Sequence, residues 1–169
     1  MLAIKNILVA TDFSECSGTA LTYGRALAHQ FGAKLHVLHA VETSGIDLAG
    51  ADAYVATFPE LSIAMEEEAR QTLDALLTTD DRATIGAKAI VRTRETPART
   101  IVEYAKNEAI DLIVIGTHGR RGVSHLVMGS VAEKVVRTAP CPVLTVRHPE
   151  REFVTEDTGL TRVSARTQS

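Results

Sequence analysis

Short apolar runs alternate along this chain with stretches of helical periodicity. Ile4 to Ala10 is the first such run and reads as a buried strand, ending at Thr11-Asp12-Phe13-Ser14. Asp12 followed by Glu15 has capping-box spacing, with Asp in the place of the usual Ser or Thr, and predicts a helix start. Ala20, Gly24, Leu27, Ala28 and Phe31 then recur at helical spacing, and Gly32 marks the end. Leu35 to Val41 is a second strand, followed by a polar, Gly-containing stretch from Glu42 to about Phe58. Leu61, Met65, Ala69, Leu73 and Leu76 predict a helix entered at Pro59, and Ile85 to Arg92 a third strand.

Thr96-Pro97 is a helix start, with Thr as N-cap and Pro at the first helical position, and Ile101, Val102 and Ala105 supply the apolar face. Asp111 to Gly116 is the strongest strand pattern. A Gly-rich loop runs from it to Gly129, Ser130 opens a helix through Thr138, and Pro140-Cys141-Pro142 breaks it before a last strand, Val143 to Arg147. Residues 1–148 read as one domain. Residues 149–169 read as a polar tail too poor in apolar residues to order itself. Strands alternating with helices predict an α/β fold, a doubly wound five-stranded parallel sheet with helices on both faces. Right-handed crossovers restrict its topology. Ligands in such sheets lie beyond the carboxyl ends of the strands where strand order reverses, so the segments after Ala10, Val41 and Ile115 are the places to look.

Composition agrees with this layout. Hydrophobic residues make up 45% of the 169 residues, but aromatics only 4%, with no Trp. The core must be built from Val, Ile, Leu and Ala, which suits a sheet covered on both faces. A net charge of -3 argues against general attraction to nucleic acid or an anionic membrane. No secretory signal pattern or bilayer-spanning run is evident, and Cys16 and Cys141 form no CxxC pair, so a cytoplasmic protein is expected.

The candidate chemistry lies in Gly116-Thr-His-Gly119-Arg-Arg-Gly122 and its continuation to Gly129-Ser130-Val131. Glycine lets backbone approach a phosphate closely, and a helix start at Ser130 offers unpaired N–H groups and a favourable dipole. The same residues would also serve as a plain strand-to-helix turn capped by Ser130, and spacing alone does not separate the two readings. The absence of a Gly-Lys pair excludes a P-loop, and the first strand ends without glycine, which disfavours a dinucleotide fingerprint.

The pattern G-x2-G-x9-G-[ST] after Leu-Ile-Val-Ile-Gly116 resembles the ATP-binding motif of universal stress proteins. Ile7 to Ser14, Gly129-Ser-Val-Ala and Ala139 to Val146 resemble that family's first strand, last helix and last strand. The resemblance covers residues 1 to about 148. It implies strand order 3-2-1-4-5, usually a homodimer, and ATP, with Mg²⁺ or Mn²⁺ held mainly by the phosphates. It implies that Asp12 lies at the ribose and adenine end, and that Ala10, Thr11, Ala40, Val41 and Ile115 frame the adenine. Gly116, Gly119, Gly129, Ser130 and Val131 match the phosphate and ribose positions. Ala10 departs from the family's frequent proline but leaves backbone contacts possible.

Other residues read more plainly. Asp12 is expected both to cap the first helix and to face the ligand. Arg120 is a candidate phosphate contact, since Arg suits bidentate binding, although a loop arginine is more often solvated. His118 and His125 read as polar loop residues rather than metal ligands. His36 and His39 sit on one strand but face opposite sides. Cys16 and Cys141 read as packing residues and Glu66-Glu67-Glu68 as a solvated helix face. Val143 to Val146 have few charges and invite antiparallel pairing with a second copy. The functional expectation is an ATP-binding stress or regulatory protein with at most slow ATP hydrolysis and an unknown regulatory partner. The alternatives are an ATP-using hydrolase or adenylyl-transfer enzyme, a nucleotide-free interaction module, or AMP as the resident ligand.

Overall fold

The computed structural model describes residues 3–42, 58–94, 96–118 and 128–148. The chain runs β1 (Asn6–Thr11), α1 (Glu15–Phe31), β2 (Lys34–Glu42), α2 (Phe58–Leu76), α3 (Thr79–Thr84), β3 (Lys88–Arg94), α4 (Pro97–Asn107), β4 (Leu112–Gly116), α5 (Ser130–Thr138) and β5 (Val143–Val146). The five strands form one sheet of order β3-β2-β1-β4-β5, and every pairing is parallel. This is the doubly wound architecture expected from the alternation of patterns.

Two apolar layers cover the sheet. Ile7, Val9, Leu35 and Val37 pack with Ala20 and Ala28 of α1 and Leu73 of α2 on one face. Leu8, Leu38, Ile90 and Ile113 pack with Ile101 and Tyr104 of α4 and Val135 of α5 on the other. Successive strand residues point to opposite faces, so central strands must be apolar at every position. Ile7, Leu8 and Val9 are indeed all 0% exposed. The close seat of α1 on β1 depends on Gly24, where a Cβ would lie 2.3 Å from Val9 Cγ2. Helix α1 ends at Gly32, whose φ of 62° and N–H bonds to the Ala28 and His29 carbonyls form a left-handed cap. Two side chains expected on apolar faces, Phe31 and Leu76, are 39% and 38% exposed instead.

The predicted third strand starts three residues early. Ile85 belongs to the exit of α3, which the apolar pattern did not reveal. Thr78 and Asp81 form a reciprocal capping box there, Ile85 is buried, and Gly86 turns the chain with φ of 54°. An apolar side chain at a helix exit looks, in sequence, like the first residue of the following strand. Glu66 is also not fully solvated: its Oε1 accepts from the Thr93 hydroxyl.

The order reversal falls between β1 and β4. There Ala10 pairs with Ile115, while α1 and α2 lie on one face and α4 and α5 on the other.

Candidate functional site

The carboxyl end of β1 delivers Ala10 and Thr11, both buried, into a tight turn. Thr11 Oγ1 accepts from the Phe13 N–H at 3.1 Å and shares a hydrogen bond with Ser17 Oγ at 3.1 Å. Asp12 is not the helix cap. The N-cap is Ser14, whose side chain accepts from the Ser17 N–H. Asp12 Oδ1 accepts from the Ser14 N–H at 3.1 Å and from its hydroxyl at 2.6 Å. The serine hydroxyl reaches the helix N–H groups because it stands one residue before the first helical position. Asp12, two residues earlier, braces the cap from outside.

The turn carries strain. Phe13 adopts φ of 65°, a region unfavourable to side chains with a Cβ and often found near functional sites. Neighbours hold it there. The Phe13 and His39 ring centroids lie 4.3 Å apart, and His39 Nδ1 donates to the Thr11 carbonyl at 2.8 Å. His36, on the opposite face as expected, meets the Tyr104 hydroxyl at 2.8 Å. Burial, then the charge of Lys88, lowers the His36 pKa. Burial, with Glu108 nearby, pushes the Tyr104 phenol up to about 12.

On β2, Ala40 and Val41 pair with Arg92 and Thr93 of β3, beyond Thr11, the last β1 residue with a β2 partner. On β4, Ile115 is buried. A Cβ on Gly116 would lie 2.9 Å from Cys16 Sγ and 3.2 Å from the Cys16 carbonyl oxygen, so glycine there lets α1 start against β4. Cys16 is a packing residue, buried and donating to the Val146 carbonyl at 3.3 Å. Cys141 is half-buried, and burial raises its thiol pKa, with Asp111 adding to the effect.

The two ends of the glycine loop are tied together. Thr117 N–H donates to the Val146 carbonyl at 2.7 Å, and the Thr117 carbonyl accepts from the Gly129 N–H at 2.7 Å. Gly129 is the N-cap of α5 and provides no side-chain cap. A Cβ there would lie 3.1 Å from the Thr117 oxygen. Ser130, exposed, and Val131, half-buried, are the first helical residues. Ser130 therefore opens the helix and does not cap it. The first N–H groups of a helix have no intrahelical partner, and the α5 N-cap, a glycine, has no side chain to bond them. Gly119 and Arg120 lie outside the described residues, as do Arg121, Gly122 and His125.

Ala10, Thr11, Asp12, Ile115, Gly116, Gly129, Ser130 and Val131 thus lie around one strand-order reversal, with Ala40 and Val41 at its flank. Sequence reading missed three parts: the Thr11–Ser14–Ser17 hydroxyl network, the left-handed Phe13 and the anchoring role of Thr117. The close spacing of Thr11, Ser14 and Ser17 was a signal for the first. Phe13 and Thr117 gave none, since strain and carbonyl pairing depend on distant strands.

Among the described residues, no group of three His, Cys, Asp or Glu side chains is placed to hold a metal ion, and no helix is long and apolar enough to cross a membrane.

Residues 3–147 match the family model described as the universal stress protein family. The chain is 33% identical over 152 residues to universal stress protein MJ0531 of Methanocaldococcus jannaschii, covering 88% of this chain and 85% of that protein. The solved structure of MJ0577, from the same organism, superposes with a TM-score of 0.73 at 28% identity, covering 88% of this chain and 99% of that one. A universal stress protein solved in complex with cAMP shares the fold, with a TM-score of 0.56 at 24% identity, covering 86% of this chain and 98% of that one. With its sheet order and a family match over nearly all the described residues, the chain belongs to the universal stress protein family.

Proposed function

We propose that this protein binds ATP at the crevice between the ends of β1 and β4 and acts as a nucleotide-dependent stress or regulatory protein. The observation that carries the reading is the amino end of α5. Its N-cap is a glycine without a side-chain cap, seated where a Cβ would crowd the Thr117 carbonyl. Such an end suits an anionic group, because unpaired N–H groups and the helix dipole both favour negative charge. Helices α1 and α3 have side-chain caps from Ser14 and Thr78, whereas α4, like α5, has none and starts with Pro97, which has no N–H to offer. In this reading the phosphates lie against Gly116, Gly129, Ser130 and Val131, joined by Gly119 and Arg120. Asp12 takes the ribose and adenine end, beside Ala10, Thr11, Ala40, Val41 and Ile115. Mg²⁺ or Mn²⁺ would be held mainly by the phosphates. The residues provide binding and orientation, and turnover is at most slow.

A homodimer through β5 belongs to the same proposal. β5 is an edge strand, and Leu144 on it is 37% exposed. Both described cysteines are free, as suits a reducing cytoplasm.

Mass analysis of small molecules released from gently purified protein is the direct test, with ATP the expected product. Added ATP and Mg²⁺ should raise thermal stability, by about 2.7 kcal/mol at a hundred times Kd. Protein that carries no adenine nucleotide and shows no ATP-induced shift would refute the reading.

A further inference from the structure

Helices α4 and α5 cover the same face of the sheet, and between them runs a groove of about 420 Å³. Ala98, Arg99 and Val102 line its α4 wall, and Lys134 and Thr138 its α5 wall. None of these residues belongs to the nucleotide crevice. The groove is open to solvent rather than enclosed, and its lining is mainly apolar. Ala98 is buried and Val102 half-buried, so the two make a floor. Arg99 and Lys134 line it chiefly with their carbon stems. Small molecules are held in sites that bury most of their surface. An open apolar trough between two helices suits instead a peptide segment that lays its apolar side chains along it.

Charge selects the kind of segment. Each helix has one carboxylate, Glu103 on α4 and Glu133 on α5, and both are engaged. Glu103 accepts from Arg99 Nε at 2.7 Å, and Glu133 pairs with Arg137 at 3.1 Å. Lys134 on the α5 wall is exposed, as is Lys106, one turn beyond Val102 on the same stripe of α4. Neither lysine has a carboxylate partner among the described residues. The uncompensated charges beside the groove are therefore both positive, although the chain's net charge is -3. The acidic excess lies elsewhere: α2, on the other face of the sheet, exposes Glu67, Glu68 and Asp74.

We propose that the α4–α5 groove is the docking site for an acidic segment of a partner protein, with aliphatic side chains on the Ala98–Val102 floor and carboxylates facing Lys134 and Lys106. The floor supplies most of the affinity. The lysines supply orientation and association rate, because exposed ion pairs are individually weak. The proposal goes beyond the ATP reading and stands without it.

The test is selection from a random peptide display library on immobilised full-length protein, followed by fluorescence polarisation with the selected peptides. These should combine aspartate or glutamate with leucine, isoleucine or valine, and should bind less tightly as salt rises from about 0.05 to 0.5 M. Lys134→Glu should weaken them about three- to tenfold, since one attraction is lost and one repulsion gained. Thr138→Trp, which fills the groove from an exposed position, should abolish binding. Lys88→Glu makes the same charge change at an exposed position of β3 and should alter affinity by less than about twofold. Melting curves confirm that each variant is folded. A selection that yields no acidic binders overturns the proposal. So do acidic binders weakened equally by Lys88→Glu and Lys134→Glu, or binding retained in a folded Thr138→Trp. If Thr138→Trp instead breaks a self-assembly of the wild type, a second copy occupies the groove and the partner assignment fails. ATP titration of the same variants tests the nucleotide reading separately, and none of these outcomes alters it.

Discussion

At the scale of single residues, backbone crowding decides which positions tolerate change. Gly116 has no positive φ to explain it; what it supplies is room. The Cβ of alanine would meet both the Cys16 sulfur and the Cys16 backbone, and overpacking of this kind costs about 1–3 kcal/mol. Gly116→Ala should lower the midpoint of thermal unfolding. Adding Cys16→Ala should restore only part of it, since the sulfur is removed but the carbonyl remains, and the double-mutant cycle measures that part. His36 gives a pH-dependent counterpart. Its pKa is lowered by burial from 6.5, so the unfolded chain binds the proton more readily. Its contribution to stability is complete above 6.5 and is lost as pH falls through the lower, folded value. Urea unfolding between pH 7 and 5 should show stability falling with acid, and His36→Phe should flatten that slope. The alternation of side chains along β2 was legible in sequence. The partners of its two histidines were not, because Tyr104 and Phe13 come from other elements.

At the scale of elements, the helix ends divide by what caps them. The end of α3 is closed by Asp81, which accepts from the Thr78 N–H at 2.8 Å and from Arg25 of α1 at 3.0 Å. Burial pushes its carboxyl pKa up, but the hydrogen bonds from Arg25 and Thr78 outweigh burial and hold it below the usual range. Asp81→Asn removes the charge from a clamp joining α1 to α3 and should cost roughly 1–3 kcal/mol, read as a lower urea midpoint at unchanged slope. The end of α5 is left open. Ser130 is exposed, so Ser130→Ala should change stability by no more than about 0.5 kcal/mol. If the hydroxyl meets a phosphate, the same variant should weaken ATP binding by about tenfold in calorimetry. Thr96 and Pro97 were readable as the start of α4 and stand there as N-cap and first residue. At α1 the cap passed from Asp12 to Ser14, because several adjacent residues of Thr11-Asp-Phe-Ser14 are good caps and only the path of the chain chooses among them.

For the whole molecule, the sheet's two edges are unequal. β3 is seven residues long, while β5 is four and Leu144 on it is exposed. In a homodimer joined antiparallel at β5, each Leu144 would lie near its twofold copy. Leu144→Glu would then set two like charges close together. Sedimentation equilibrium should show dimer for the wild type and monomer for Leu144→Glu. A wild-type monomer at all concentrations would rule out this assembly.

The sequence by itself determined the layering. Strands apolar at every position need cover on both faces, helical periodicity supplies that cover, and right-handed crossovers leave few ways to join them. It also marked the glycine loop and the helix it enters, since glycine and a first-turn serine are local signals. Only the tertiary structure decided which glycine makes room and for what, which residue caps α1, that Phe13 is held in a left-handed turn, and that Thr117 ties the exit of β4 to Val146 and Gly129. Each of these depends on a contact between segments far apart in sequence, and local propensity does not encode the distance between strands until the sheet has formed.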